Sequence, residues 1–430
     1  MKLATGTTII RNGSIIDGRG GDPIENGMVV IKDGRIESVG KDSDQPLSGD
    51  AEIIDAGGGT IMPGLVEAHF HATYFNVANL EDLDIKYPVE YVTLLAAVNA
   101  QLVLECGYTA ARSGGCLFNC DYWLKTAIEN DLVRGPRLSA SGREICSAGG
   151  LMDWNPEFRK IGMEGLIFCI NGVEEARRAV RSLVKDGVEW VKTYPTGDAA
   201  WPDVNDHHTL CMNLDEMSAV VETAHNHKMK VTGHCRATEG IKNALRAGYD
   251  TIEHGTFMDD EALEMLLERD TPVVPGLYFE QASVEFGPQF GMSQKVIDGH
   301  QETLDGGAES YRRIIAAGGR MGMGGDFGFA WNPHGGYAKE LSFFVDFVGL
   351  KPMDVLVCAT KTGAEIMGRA DEFGTLEAGK LADILVVDGD VLDNIHVLEN
   401  RENLIAVIQG GIIKGGRLAQ RQIIEVPVAV

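Results

Sequence analysis

The stretch Leu65–His71, LVEAHFH, reads as an apolar strand that ends in two histidines one residue apart. Side chains two apart on a strand point to one face, so His69 and His71 leave it together and can hold one metal ion. Pro63 and Gly64 ahead of it signal a turn, which gives the strand a sharp start and leaves its polar residues at the C-terminal end. Chemistry at the C-terminal end of a buried strand is what an α/β barrel provides.

Upstream, residues 7–62 alternate short apolar runs with turn signals. Asn12-Gly13 and Asp33-Gly34 are hairpin dipeptides, so a small antiparallel β unit without a catalytic cluster is expected there. From Pro63 the rhythm changes to strand, loop, helix. A helix at 89–105, closed by Gly107, leads to the strand YTAARSGG; one at 122–133 leads to RLSASG, and one at 174–185 to VEWVKTY. Helices at 214–228, 238–246, 259–268 and 307–317 then feed KVTGH, DTIEHG, TPVVPGLY and RMGMGGD. Eight strands alternating with helices are the period of a (β/α)8 TIM barrel, an α/β fold, over residues 63–368. A doubly wound open sheet is the alternative; against it, no Gly-rich dinucleotide turn follows the first strand.

Residues 144–171 interrupt the rhythm with Gly, Met and Trp and no clear period, and read as an active-site loop. After a helix at 352–368 come GTLEAGKLADILVVDGD and NLIAVIQGGIIKGGR, similar in character to 7–62. Residues 1–62 and 369–430 are therefore expected to form one β-sandwich domain beside the barrel.

A chain of 430 residues, 44% hydrophobic and 23% charged, can bury one large core and a smaller one. Its net charge of -25, from 63 acidic against 38 basic side chains, repels nucleic acid and anionic membranes and leaves a small molecule as the expected partner. The N-terminus MKLATGTTII lacks an apolar run followed by a small-residue cleavage site. No run elsewhere reaches the roughly 18 apolar residues that span a bilayer, so a soluble, cytoplasmic protein is expected. Eight cysteines without zinc-ribbon spacing read as reduced and structural, Cys235 beside His234 included.

The polar residues that end the expected strands are His69, His71, Lys192, His234, His254 and Asp326. In a closed barrel these ends converge on one cavity. Each has an ordinary reading: Lys192 could reach to the rim, His234 and His254 could bond backbone carbonyls, and Asp326 could cap the next segment. Jointly those readings require six separate accidents, whereas His207, His208, His225, His227 and His396 fall in loops, helices or the chain-end domain.

PG-LVEAHFH, WVKTY, VTGH, TIEHG and GGDFG together resemble the amidohydrolase superfamily. Within it they resemble the imidazolonepropionase-like and metal-dependent dipeptidase branch, which takes in Xaa-Arg carboxypeptidase-, prolidase- and ochratoxin-hydrolase-like enzymes. GTLEAGKLADILVVD resembles the C-terminal sandwich segment of that family, and the likeness covers nearly the whole chain. It implies two divalent ions, with zinc expected from the histidines: one held by His69, His71 and Asp326, the other by His234 and His254. Lys192 would bridge both. An ammonium has no lone pair to offer a cation, so the resemblance implies Lys192 carboxylated by carbon dioxide. A water shared by the ions would lose its proton near neutral pH and attack an amide-type C–N bond, with Asp326, His254 and Lys192 as the catalytic residues. Substrates in that branch include N-acyl amino acids, dipeptides, carbamates and aromatic amides, and a homo-oligomer is expected.

Tyr194, Arg236, Tyr278 and His334 lie on strand-end loops and are candidates for binding a substrate carboxylate, Arg236 foremost because its fork is bidentate. Two alternatives stay open. One is a mononuclear cyclic-amide hydrolase or deaminase, in which Lys192 has no metal role. The other is a non-catalytic relative, whose expected mark is the loss of a ligand.

Overall fold

The computed structural model describes residues 1–42, 51–79, 81–84, 86–156, 158, 165–200 and 203–419. Parts of the 144–171 insertion and of the chain-end unit, namely 43–50, 157, 159–164 and 420–430, lie outside the described residues.

The chain ends pair in one eight-stranded sheet, in the order β17-β16-β15-β5-β1-β2-β3, with β4 alongside β1. These strands are β1 (Thr7–Ile15), β2 (Ile24–Lys32), β3 (Arg35–Lys41), β4 (Glu52–Asp55), β5 (Thr60–Pro63), β15 (Ile384–Val387), β16 (Leu404–Gln409) and β17 (Ile412–Gly415). Its core is separate from that of the rest of the chain and includes Ile10, Val29, Ile61, Ile384 and Ile408. The N-terminal unit is only partly antiparallel, because β4 and β5 run parallel to β1.

Asp33-Gly34 makes the β2–β3 turn, with both residues at positive φ. Asn12-Gly13 does not turn the chain. It forms an irregularity inside β1, where Asn12 takes φ 60 and Gly13 lies so close to the next strands that a Cβ would meet Ala56 Cβ at 2.8 Å. The dipeptide's left-handed freedom serves a bulge rather than a hairpin.

Between these ends, strands and helices alternate. β6 (Leu65–Phe70), β7 (Tyr108–Ser113) and β8 (Arg137–Ser139) form a parallel three-stranded sheet. β9 (Glu144–Ser147), β10 (Ile167–Ile170), β11 (Trp190–Thr193), β12 (Lys230–Cys235), β13 (Thr251–His254) and β14 (Val273–Val274) form a parallel six-stranded one, ordered β10-β9-β11-β12-β13-β14. Hydrogen bonds continue between the two. Trp190 N donates to Ala140 O, Gly322 N to Val273 O, and Ala68 N to Met323 O. β6 is buried at every position, as expected of a parallel strand covered on both faces.

Several sequence expectations are corrected. The 144–171 insertion is not a plain loop: its ends are β9 and β10, a parallel pair. TPVVPGLY keeps only two residues of strand, because Pro272 and Pro275 flank them without N–H donors, and a helix, Leu277–Phe286, begins at once. RMGMGGD pairs only through bridges and single bonds, at Met321 for example, its glycines having no side chains with which to pack a ladder. The helix expected at 307–317 is the second half of Gln294–Ala316. Gly306 within it lets Phe257 pack against the helix backbone; a Cβ there would come within 2.5 Å of that ring. No described helix is long and apolar enough to cross a membrane.

Candidate metal centre

His69 and His71 emerge from β6 with their Nε2 atoms 3.2 Å apart and both side chains buried. Room for the pair comes from Gly114 at the end of the neighbouring strand, where a Cβ would lie 2.4 Å from His69 Cδ2 and 3.0 Å from His71 Nε2. Asp326 Oδ1 sits 3.2 Å from His71 Nε2 and 3.8 Å from His69 Nε2. These three offer ligand atoms that all lie within 4.8 Å of one another. His254 follows at 5.4 Å from the His69 ring and 4.4 Å from that of His234. Asp326 and His254 both hold left-handed backbone, at φ 51 and 65, an uncommon state for these residue types that marks a constrained site.

Backbone carbonyls select the nitrogens that face the cavity. His71 Nδ1 donates to Gly115 O at 3.1 Å and His254 Nδ1 to Pro275 O at 3.0 Å, so in each ring Nε2 keeps its lone pair. Nε2 of His234 donates to Gly197 O at 3.3 Å, which leaves the lone pair on Nδ1. Burial, and next the charge of Lys192 for His69 and of Arg236 for His254, holds these two imidazoles well below the ordinary histidine pKa. They are neutral, the form a metal requires. Burial acts to raise the Asp326 carboxyl, but His71 and then Lys192 and His234 outweigh it and bring it below its ordinary value. Asp326 Oδ1 and His254 Nε2 are buried and have no hydrogen-bond partner among the described residues. Buried polar atoms without partners are costly unless an ion completes them, and a carboxylate with several imidazoles is a donor set suited to zinc.

Lys192, from β11, lies at the same cavity and pairs with Glu253 of β13. Burial lowers its amine to about 8. Glu253 also accepts from the buried Arg112 at 2.6 Å. Beside it, Glu144 of β9 accepts from Tyr194 Oη at 2.6 Å and Tyr74 Oη at 3.4 Å, and burial pushes its carboxyl up to about 8. Neither glutamate stood out in sequence. Glu253 could have been found as a lone acid inside an apolar strand, while Glu144 lay in a stretch without a period.

All six ligand candidates line one cavity of about 650 Å³. Its outer wall is apolar and aromatic, with Leu151, Met152, Trp154, Phe279, Phe329 and Trp331. Of the four candidate substrate-binding residues, Tyr194 lines the cavity and three do not. Arg236 is buried between Asp198 at 2.5 Å and Glu280 at 2.6 Å, so its fork is already occupied. His334 is held by Tyr337 Oη at 2.8 Å and Tyr74 O at 2.9 Å, and Tyr278 stacks on Phe327. The strand-end rule gave their neighbourhood but could not tell which way each side chain turns.

Residues 60–414 match the Amidohydrolase family. Ochratoxinase of Aspergillus niger is 27% identical over 435 residues, covering 95% of this chain and 87% of that protein. Imidazolonepropionase of Geobacillus sp. (strain WCH70) is 23% identical over 422 residues, covering 92% of each. Among solved structures, a Xaa-Pro dipeptidase with bound methionine in the active site aligns at a TM-score of 0.85 and 28% identity, over 95% of this chain and 99% of that one. With most of its length matched, the chain belongs to the Amidohydrolase family.

Proposed function

We propose that this hydrolase of carbon–nitrogen bonds is a two-metal enzyme cleaving an amide-type bond in an N-acyl amino acid, a dipeptide or a related carbamate or aromatic amide. The observation that carries the reading is the pair of unpartnered buried atoms, Asp326 Oδ1 and His254 Nε2, on one cavity with His69, His71, His234 and Lys192. His69, His71 and Asp326 would hold one ion and His234 and His254 the other, with a carboxylated Lys192 between them. Bound there, the ions supply Lewis acidity toward the scissile carbonyl and lower the pKa of water toward neutrality.

The chain's own groups do the rest. Asp326 takes the proton of the attacking water and returns it to the leaving nitrogen. Gly115, Pro275 and Gly197, by accepting from three imidazoles, fix which nitrogen of each ring faces inward. The aromatic wall receives an apolar acyl or aryl group and excludes water from the bond under attack. We read the parallel strands as a (β/α)8 barrel over 63–368, and the chain-end sheet as a β-sandwich domain of 1–62 plus 369–430. The hydrogen bonds that link successive strands and the family support the barrel, and the sheet shared by the two chain ends supports joining 1–62 with 369–430.

The pairing of Lys192 with Glu253 favours a second reading, a mononuclear site at His69, His71 and Asp326 with an uncarboxylated lysine. One experiment separates them: metal-reconstituted protein is assayed on N-acyl amino acids, dipeptides and aromatic amides while its metal is counted. About two ions per active chain are expected, with Asp326→Asn keeping much of the metal and losing roughly 10²- to 10⁴-fold in turnover. Full activity with a single ion establishes the mononuclear reading, and fully loaded protein that hydrolyses none of the panel removes the amide-hydrolase assignment.

A further inference from the structure

Away from this cavity, a second group of ligand-type side chains converges on the surface. His207 and His208 lie on the connection between β11 and the helix Leu214–Asn226, and Glu302 lies on the helix Gln294–Ala316. One carboxylate spans both rings, with Oε2 at 3.2 Å from His207 Nε2 and Oε1 at 3.0 Å from His208 Nε2. Ligand atoms from all three lie within 4.8 Å of one another. A tetrahedral ion with bonds of about 2.0–2.2 Å holds its ligands roughly 3.4 Å apart, close to the spacing between each ring nitrogen and its own carboxylate oxygen. His208 and Glu302, at 54% and 56% exposure, are free to close the remainder.

The scaffold is prepared on the loop side. Asp206 Oδ1 accepts from His208 N at 3.1 Å and from Thr209 Oγ1 at 2.8 Å, which fixes the turn that presents the rings. Phe257 packs against both imidazoles, at 5.4 and 4.7 Å. Two imidazoles and one carboxylate suit zinc or a similar borderline ion rather than magnesium or calcium, and water would complete the shell. A net charge of -25 favours the approach of any cation.

We propose that His207, His208 and Glu302 form a surface site for a zinc-like divalent ion, separate from the catalytic cavity, that pins the loop to the long helix. Both attached elements reach the cavity: Asp198 and Ala200 line it from the loop, Val296 and His300 from the helix. Ion binding there adds a bond between two parts of the substrate wall that already pack where Gly299 of the helix faces Ala199 of the loop.

The test uses the holoenzyme with its catalytic metal in place, freed of loose ions and titrated with zinc chloride by calorimetry near pH 7.5. The expected result is one zinc ion per chain beyond the starting metal content, unaffected by millimolar magnesium, with a rise in thermal midpoint. His208→Ala and Glu302→Gln should each weaken that binding at least about tenfold and abolish the rise, while turnover without added zinc is unchanged. A wild-type holoenzyme that takes up no further ion, or a His208→Ala protein that binds it with unaltered affinity, overturns the site. Because the signal is the difference between wild type and His208→Ala, it reads the same whether the catalytic centre holds one ion or two.

Discussion

At Lys192 the two readings of the catalytic centre part company. The side chain is buried beside four imidazoles and held by Glu253, so as a plain amine it is an ion-pair partner, and as a carbamate it is a bridge with two oxygens. If it is the bridge, Lys192→Ala should lose both ions and activity together. A short-chain carboxylic acid supplied with metal should then restore part of each by placing a carboxylate in the vacated space. Lys192→Met should not be rescued, since its side chain fills that space and offers only a weak thioether. Metal content and turnover of both variants, with and without acid, decide the matter; an alanine protein that stays fully metallated and active ends the carbamate assignment. The neighbourhood of this residue was legible because β-strand geometry puts alternate side chains on one face and barrel topology sends strand ends to one place. Glu253 was hidden by its position within a strand that otherwise reads as core, and the use of Arg236 was hidden because nothing in HCRAT tells that Asp198 and Glu280 flank it.

At the scale of elements, that arginine ties segments together. It joins Asp198 of the loop after β11 to Glu280 of the helix Leu277–Phe286, which passes the contact on to His300 at 2.7 Å. Arg236→Met removes the cation and leaves two buried carboxylates facing each other across its place. Loss of one partner from a buried ion pair costs roughly 3–5 kcal/mol, so the variant should unfold at distinctly lower urea concentration than wild type. A substrate clamp would behave otherwise, raising KM with the urea midpoint unchanged, and that outcome would return Arg236 to the binding site. Element boundaries were least legible where glycine and proline carry them. Asn12-Gly13 has the composition of a turn but serves a bulge, and the glycines of the helix Gln294–Ala316 conceal its first half because their reasons for being there, such as the approach of Phe257 to Gly306, are tertiary.

On the scale of the whole molecule, the chemistry and the link to the chain-end sheet lie at opposite ends of the parallel strands. Catalytic candidates leave the C-terminal ends, whereas the sheet attaches near the N-terminal ends: Gly64 N donates to Asp383 O, and Gln409 Nε2 to Thr109 O and Gly135 O. Arg137, which opens β8, forms a buried bidentate pair with Asp383 at 2.6 and 2.9 Å, and Asp383 Oδ1 also accepts from Gly410 N at 2.7 Å. The reunion of the two chain ends was legible from their similar β patterns, but this joint was not, since Arg137 and Asp383 are 246 residues apart. Asp383→Ala strands a buried guanidinium and an N–H donor at once, which again costs about 3–5 kcal/mol. Arg137→Met combined with Asp383→Leu removes both charges and should recover a large part of that loss, because apolar side chains of similar size need no counter-ion. Folded Asp383→Ala protein should turn over substrate within about twofold of wild type, since Asp383 sits at the end of the parallel strands opposite the cavity. Urea unfolding of the single and double variants, with kcat measured below the transition, checks both statements; a single variant as stable as wild type would show that this pair does not hold the chain-end sheet in place.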